Sequence, residues 1–179
     1  MRKPLPGDTP LEERIARIIR VDQAGEYGAK RIYDGQLAVL GGSRSVETIR
    51  QMADQELHHM ETFDRIMNER HVRPTLLSPI WHVAGFALGA GTALMGEKAA
   101  MACTEAVEEV IDEHYAAQAA ELDDDEAELR ETIQRFRADE LEHRDTARAH
   151  DAAGAPGYDL LTAGIKAGSR LAIWLSTRI

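Results

Sequence analysis

The sequence predicts an all-α protein: a four-helix bundle with an apolar helical crossover between its second and third helices and an extra helix at the C-terminus. Three observations favour this fold class. Strand signals are weak, and aromatic residues make up only 5% of the 179-residue chain. Apolar residues recur at helical spacing over several long stretches. Short segments rich in Gly, Pro or Asp separate those stretches.

The helices have recognisable beginnings or ends. In "DTPLEE", Thr9 is expected to be the N-cap, Pro10 the first helical residue and Glu12 the partner that completes a capping box. Gly41 ends the pattern of the first helix, "VRP" follows the second, and "DDD" (123–125) separates the third from the fourth. The turn "AAGAPG" precedes the last helix. The expected ranges are about 10–40, 44–70, 97–122, 125–150 and 158–178.

The crossover, about 72–96, is the least polar part of the chain. From Pro74 through Gly96 there is no Asp, Glu, Lys or Arg, a length near the lower limit for a membrane span. Its two prolines and four glycines favour instead a broken, buried or interfacial helical segment. The amphipathic last helix, about 158–179, is compatible with a membrane surface or with core packing.

Length and composition indicate a single domain, residues 1–179. Asp and Glu outnumber Lys and Arg by 31 to 21, and the net charge of −10 argues against a nucleic-acid partner. Cys103 is the only cysteine, so no intrachain disulfide can form, which fits a reducing compartment. The start, "MRKPLPGDTPLEER", lacks the apolar stretch of a signal peptide, so none is expected.

Six acidic and imidazole side chains fall on or beside the apolar stripes of the bundle helices. With about 100° of rotation per residue, Glu26 lies within the stripe of the first helix and Glu108 beside that of the third. The second and fourth helices each carry a Glu-x-x-His pair on the stripe: Glu56 with His59, and Glu140 with His143. A buried carboxylate costs roughly several kcal/mol unless it is paired or bound to a cation. All six are therefore predicted metal ligands.

The ligand pattern occurs twice: a Glu, then a Glu-x-x-His pair on the next helix. Glu26 precedes Glu56 by 30 residues, and Glu108 precedes Glu140 by 32. Two helix pairs related by a pseudo-twofold axis would bring together the ligand set of di-iron and di-manganese bundles. Mixed oxygen and nitrogen ligands suit iron or manganese. Glu105, on the same helix as Glu108, is expected to point away from this centre.

Four segments carry a resemblance to a known family: "RIIRVDQAGEYGAKRIYDGQ" (17–36), "VRPTLLSPIWHVAGFALGAGTALMG" (72–96), "ACTEAVEEVIDEHY" (102–115) and "FRADELEHRD" (136–145). They closely resemble the demethoxyubiquinone hydroxylase family, di-iron enzymes of ubiquinone biosynthesis. The resemblance implies a ferritin-like fold, two iron ions and the ligands already named: Glu26, Glu56, His59, Glu108, Glu140 and His143. Because the chain lacks the mitochondrial targeting extension of eukaryotic relatives, it is expected to be a bacterial member.

The implied reaction is the O2-dependent hydroxylation of 5-demethoxyubiquinol in the penultimate ring modification. The resemblance implies that electrons come ultimately from NADH or another reductant. No Gly-x-Gly-x-x-Gly fingerprint follows a strand, so no Rossmann nucleotide site is expected. His114 and Tyr115 match a family pair near the quinone or the electron path, or else are core polar groups. Asp22, one turn before Glu26, is expected to orient a ligand histidine, or to be a buried capping or salt-bridge residue.

The apolar segment from Leu76 to Met95 matches the family region for membrane contact and for the isoprenoid tail of the quinone. Leu77, Trp81 and Phe86 are the expected substrate or membrane contacts, and Leu77 and Trp81 also match the docking site of a lipid-binding accessory protein. The resemblance thus implies peripheral association with the cytoplasmic face of the bacterial inner membrane, with a homo-oligomer also compatible.

Two other functions fit part of the sequence. The same six ligands would serve iron oxidation and storage, or peroxide scavenging, but those tasks do not need the uncharged segment 74–96. A non-enzymatic membrane-surface bundle would explain 74–96 and 158–179 but not the six inward ligands.

Overall fold

A computed structural model describes residues 9–179 as six α-helices joined by short turns. No strand occurs in that range, so the predicted all-α class is confirmed. The helices are α1 (Leu11–Leu40), α2 (Val46–Glu69), α3 (Ser78–Leu94), α4 (Glu97–Glu121), α5 (Ala127–Ala149) and α6 (Tyr158–Ser176). Short 3₁₀ turns precede α5 and α6.

The start of α1 differs from the predicted capping box. Pro10, at φ −52° and ψ 144°, is the N-cap residue itself, and no side chain caps the helix. The Pro10 carbonyl accepts the first helical hydrogen bond, from the Arg14 amide at 3.1 Å. Because the extended ψ of Pro10 delays the helix by one residue, Thr9 and Glu12 are out of register for a capping box.

Two apolar layers hold the bundle together, each with residues from α1, α2, α4 and α5. One contains Ile19, Phe63 and Phe136. The other contains Ile49 and Met101. Along each helix, the predicted metal ligands occupy the stretch between the residues of one layer and those of the other. The polar centre is therefore enclosed by apolar side chains above and below.

The crossover forms one continuous helix, α3, so of the three predicted alternatives (broken, buried or interfacial) the broken segment was wrong. Pro79 lies in its first turn, where a proline is tolerated. Two of its glycines face α1: a Cβ at Gly89 would overlap the carbonyl oxygen of Ile32, and a Cβ at Gly85 would lie 2.8 Å from the carbonyl oxygen of Gly28. The glycines therefore let the two helix backbones approach closely instead of breaking the helix.

Helix α6 packs against α4 through polar contacts. Tyr158 donates to Glu105 Oε2 at 2.9 Å, and Arg148 of α5 donates to Glu105 Oε1 at 2.7 Å. Glu105 points away from the ligand cluster as expected, but it is buried, because α4 is covered on several sides. Apolar side chains remain exposed on α6, including Leu160 and Trp174. Among the described residues, no helix combines the length and the apolarity that crossing a membrane requires.

Candidate metal centre

The structure brings the six predicted ligand side chains together at the middle of the bundle. Each is at most 1% exposed: Glu26 on α1, Glu56 and His59 on α2, Glu108 on α4, and Glu140 and His143 on α5. A helical face places Glu and His three residues apart on the same side, so each Glu-x-x-His pair points inward as a unit. Buried acidic groups at this density need a cation or shared protons.

The six side chains form two groups that overlap. In each group, four ligand atoms lie within 4.8 Å of one another. One group is Glu26, Glu56, His59 and Glu140, and the other is Glu56, Glu108, Glu140 and His143. Because Glu56 and Glu140 belong to both, they would be shared if each group held a metal ion, and one further Glu and one His would complete each group.

Several buried polar atoms of the centre have no hydrogen-bond partner in the described part of the chain. They are Glu26 Oε2, both carboxylate oxygens of Glu56, Glu108 Oε2, Glu140 Oε2 and His143 Nδ1. Unsatisfied buried polar atoms are rare in folded proteins, since each costs about 1–3 kcal/mol. Atoms from five of the six ligands share this state, which fits a pair of metal ions as their partner.

In each histidine of the cluster, Nδ1 points toward the centre, and a polar side chain that contacts Nε2 fixes the orientation of the ring. His59 Nε2 lies 3.1 Å from Asp139 Oδ2, and His143 Nε2 lies 2.9 Å from Gln55 Oε1. A metal-bound histidine commonly has its second nitrogen held in this way. Sequence reasoning missed Asp139 and Gln55. The available signal was a polar residue directly before the Glu of each Glu-x-x-His pair.

Without a metal, burial and neighbouring charges move the pKa values of the clustered side chains away from their usual ranges. Burial, followed by the charges of neighbouring carboxylates, raises the pKa of Glu56 and of Glu108 well above the usual range. Burial opposes charge on Glu140 too, but the neighbouring His143 and His59 imidazoles outweigh burial and bring its pKa to about 2. Burial lowers the pKa of His59, yet the neighbouring Glu140 and Glu26 carboxylates raise it to about 11. Metal binding at neutral pH must therefore release protons.

Asp22 fits the second of its two predicted roles: it is a buried residue within ion-pair distance of His114 and does not contact His59 or His143. Its Oδ1 accepts a hydrogen bond from Gln118 Nε2 at 2.7 Å and lies 3.5 Å from His114 Nε2. Asp22 lies one turn before Glu26 on α1, and this position faces α4, whereas His59 and His143 project from α2 and α5. Tyr115, next to His114, donates a hydrogen bond to Glu26 Oε1.

An apolar cavity of about 400 Å³ adjoins the centre. Helices α1, α3, α4 and α6 line it, and Glu26, His114 and Tyr115 form its polar end. Trp81 also lines it and donates to Ser176 at 3.0 Å. Leu77 and Phe86 are not among the lining residues. Leu77 is half-buried just before α3, and Phe86 lies under the Arg31 guanidinium, 5.0 Å from its ring centre.

Sequence comparison identifies relatives over nearly the whole chain. A family model described as "Ubiquinone biosynthesis protein COQ7" matches residues 13–176. The 3-demethoxyubiquinol 3-hydroxylase of Rhodospirillum rubrum is 58% identical over 176 residues, covering 98% of this chain and 83% of the relative. The mitochondrial NADPH-dependent 3-demethoxyubiquinone 3-hydroxylase of Homo sapiens is 52% identical, covering 92% and 78%. The mitochondrial 5-demethoxyubiquinone hydroxylase of Saccharomyces cerevisiae is 47% identical, with the same coverages.

Proposed function

We propose a function from one premise: the chain belongs to the ubiquinone biosynthesis protein COQ7 family. It is a di-iron monooxygenase that hydroxylates 5-demethoxyubiquinol, the 2-polyprenyl-3-methyl-6-methoxy-1,4-benzoquinol, at the unsubstituted ring carbon. The observation that carries this proposal is that the candidate metal centre adjoins the apolar cavity, because Glu26 is a member of one ligand group and also lines the cavity. The names of the relatives supply the substrate.

The donor set supports iron as the metal. Four carboxylates and two imidazoles suit iron or manganese better than a metal that prefers thiolates, and hydroxylation by the relatives favours iron. Two irons, when bound, would supply dioxygen activation and hold the electrons that the reaction consumes. The protein would contribute Glu56 and Glu140, which belong to both ligand groups, the histidines held by Asp139 and Gln55, and an apolar cavity.

The cavity has the size and polarity to hold a quinol ring. Its volume falls within the range of about 300–1,000 Å³ that is usual for small-molecule sites. Its walls are mostly Ala, Gly, Val, Ile and Leu, which exclude water, while Asp22, His114 and Tyr115 provide polar atoms at the inner end. We propose that these polar atoms orient the ring oxygens and that the isoprenoid tail leaves between α3 and α6.

The proposed hydroxylation also needs a reductant that supplies electrons to the centre. The human relative is named as NADPH-dependent, whereas the sequence resemblance implied NADH or another donor. Since the chain carries no dinucleotide fingerprint, we propose that a soluble reductant delivers electrons without a dedicated Rossmann site.

An exposed apolar surface supports peripheral membrane association. Five apolar side chains at α3 and α6 are each more than half exposed: Leu76 just before α3, Ile80 and Val83 on α3, and Leu171 and Trp174 on α6. A long-tailed quinol resides in the bilayer, so a lipid-facing entrance between these helices would shorten its path. Flotation with liposomes tests this: Val83→Asp should reduce co-flotation while metal content stays unchanged. Contact with an accessory protein and the oligomeric state remain predictions.

Isotope labelling tests the proposed reaction directly. The iron-loaded, reduced protein is mixed with ¹⁸O2 and a short-tailed demethoxyubiquinol, and products are analysed by mass spectrometry. One labelled oxygen atom should appear in the quinol and the other in water. If the irons oxidise and the quinol is recovered unchanged, the protein is a di-iron bundle with another task, such as iron oxidation or peroxide scavenging, and the proposed substrate is wrong.

A further inference from the structure

Two buried tyrosines make reciprocal contacts across the centre. Tyr33 on α1 donates to Glu108 Oε1 on α4 at 3.0 Å. Tyr115 on α4 donates to Glu26 Oε1 on α1. Each tyrosine follows the Glu of its own helix by seven positions, which is about two helical turns and therefore the same face. The pseudo-twofold pattern of the ligands thus extends to a crossed pair of phenol–carboxylate bonds.

The two tyrosine hydrogen bonds both go to carboxylates that each belong to a single ligand group. Glu26 and Glu108 are the carboxylates that belong to only one ligand group each. In both, the tyrosine donates to Oε1, and Oε2 has no hydrogen bond from a described residue. Within the described residues, neither oxygen of Glu56, which belongs to both groups, has a hydrogen bond, although Oε1 lies 3.1 Å from His143 Nδ1. A tyrosine hydroxyl therefore holds one oxygen of each carboxylate that belongs to a single group, and no described hydroxyl holds Glu56.

We infer that the two tyrosines are positioning residues that restrict these carboxylates to one metal-binding oxygen each. Tyr33 does so for Glu108, and Tyr115 does so for Glu26. A carboxylate that binds through one oxygen takes one ligand position on its ion instead of two. The crossed bonds would thus keep a position open on each ion for a further ligand. This inference deepens the proposed function and rests on the same pair of metal ions.

The surroundings of Tyr33 make it the more informative residue to change. Its ring is 1% exposed, and it lies edge-on to the His143 ring with centroids 6.2 Å apart. Its hydroxyl also lies 3.9 Å from Met52 Sδ. Tyr33 does not line the cavity, whereas Tyr115 does. Replacing Tyr33 by Phe would retain the ring packing, remove the hydroxyl and leave the substrate cavity untouched.

Cobalt(II) provides a readout that does not depend on turnover. Visible absorption of Co²⁺ weakens as its coordination number rises, so a carboxylate freed to bind through both oxygens should reduce it. Tyr33→Phe and Tyr115→Phe proteins loaded with two equivalents of Co²⁺ should each lose absorbance relative to the wild type. Because each tyrosine acts on a different ion, the double variant should lose about the sum of the two changes.

Tyr158 provides a matched control, since it makes the same kind of bond to a carboxylate that is not a ligand. It donates to Glu105 Oε2 at 2.9 Å. Tyr158→Phe should leave the cobalt spectrum unchanged, and thermal melts of all metal-free variants report any general loss of stability. An unchanged spectrum in Tyr33→Phe, or an equal change in Tyr158→Phe, refutes the inference. Failure of the wild-type protein to take up two Co²⁺ ions overturns the metal centre itself, and the role of the tyrosines with it.

Discussion

The close approach of α1 and α3 can be tested by adding single methyl groups to α3. Gly89 and Gly91 lie on the same helix, two residues apart. A Cβ at Gly89 would overlap the carbonyl oxygen of Ile32, and because that atom belongs to the backbone, the helices must separate. A Cβ at Gly91 would meet nothing within 4 Å. Gly89→Ala and Gly91→Ala therefore differ in packing but share the same change in helix propensity.

The size of the effect follows from these two contributions. Replacing Gly by Ala inside a helix favours folding by about 0.5–1 kcal/mol, and both variants gain it. Overpacking costs about 1–3 kcal/mol and applies only to Gly89→Ala. The difference between the variants in the free energy of unfolding is thus about 1–3 kcal/mol. At about 2–4 °C per kcal/mol for a chain of this size, Gly89→Ala should melt at a clearly lower temperature.

Urea and thermal unfolding, followed by circular dichroism at the helical band, measure this difference. Equal stabilisation of both variants would show that α1 and α3 do not pack through Gly89. A loss of stability in Gly91→Ala would show that α3 presents another face to α1. Either result would also contradict the position of the cavity described above, because Gly85 and Leu88 of α3 line it.

Three further predictions concern the centre and its cavity. Glu56→Ala should reduce bound metal more than Glu108→Ala, because Glu56 belongs to both ligand groups; elemental analysis measures this, and equal losses would contradict shared ligation. Glu56 and Glu108 have raised pKa values in the folded state, so the metal-free protein should lose stability and melt at a lower temperature as pH rises through those values. The increase in melting temperature on adding Fe²⁺ or Mn²⁺ should therefore grow with pH, and an increase that does not change with pH would refute this. Gly168→Leu, on the cavity wall, should raise the KM for quinol without changing the metal content, whereas Gly164→Leu, outside the cavity lining, should leave the KM unchanged. Equal KM values for the two variants would exclude the cavity as the quinol site.

The six ligands could be predicted from the sequence because helical periodicity is a local property. Rotation of about 100° per residue places Glu26 and Glu140 on apolar stripes without knowledge of any neighbour. The second contacts of the histidines could not be found in this way. Asp139 reaches His59, and Gln55 reaches His143, from the opposite helix pair.

Asp22 and Glu105 show the same limit. A helical wheel gives the direction of a side chain but not what lies in that direction. Asp22 meets Gln118 and His114 because α1 faces α4 at that level. Glu105 points away from the centre yet is buried, because α5 and α6 supply Arg148 and Tyr158 on that side of α4.

The fold class, the order of the helices and the six candidate metal ligands could be predicted from periodicity and residue type along single segments of the chain. The folded structure was needed to show which carboxylates belong to both candidate groups, which tyrosine contacts which carboxylate, and where the cavity lies. Those features depend on distances between helices that are far apart in the chain. Backbone contacts at Gly85 and Gly89 bring α3 close to α1 at the cavity wall, and packing of this kind leaves no periodic signal in a single sequence.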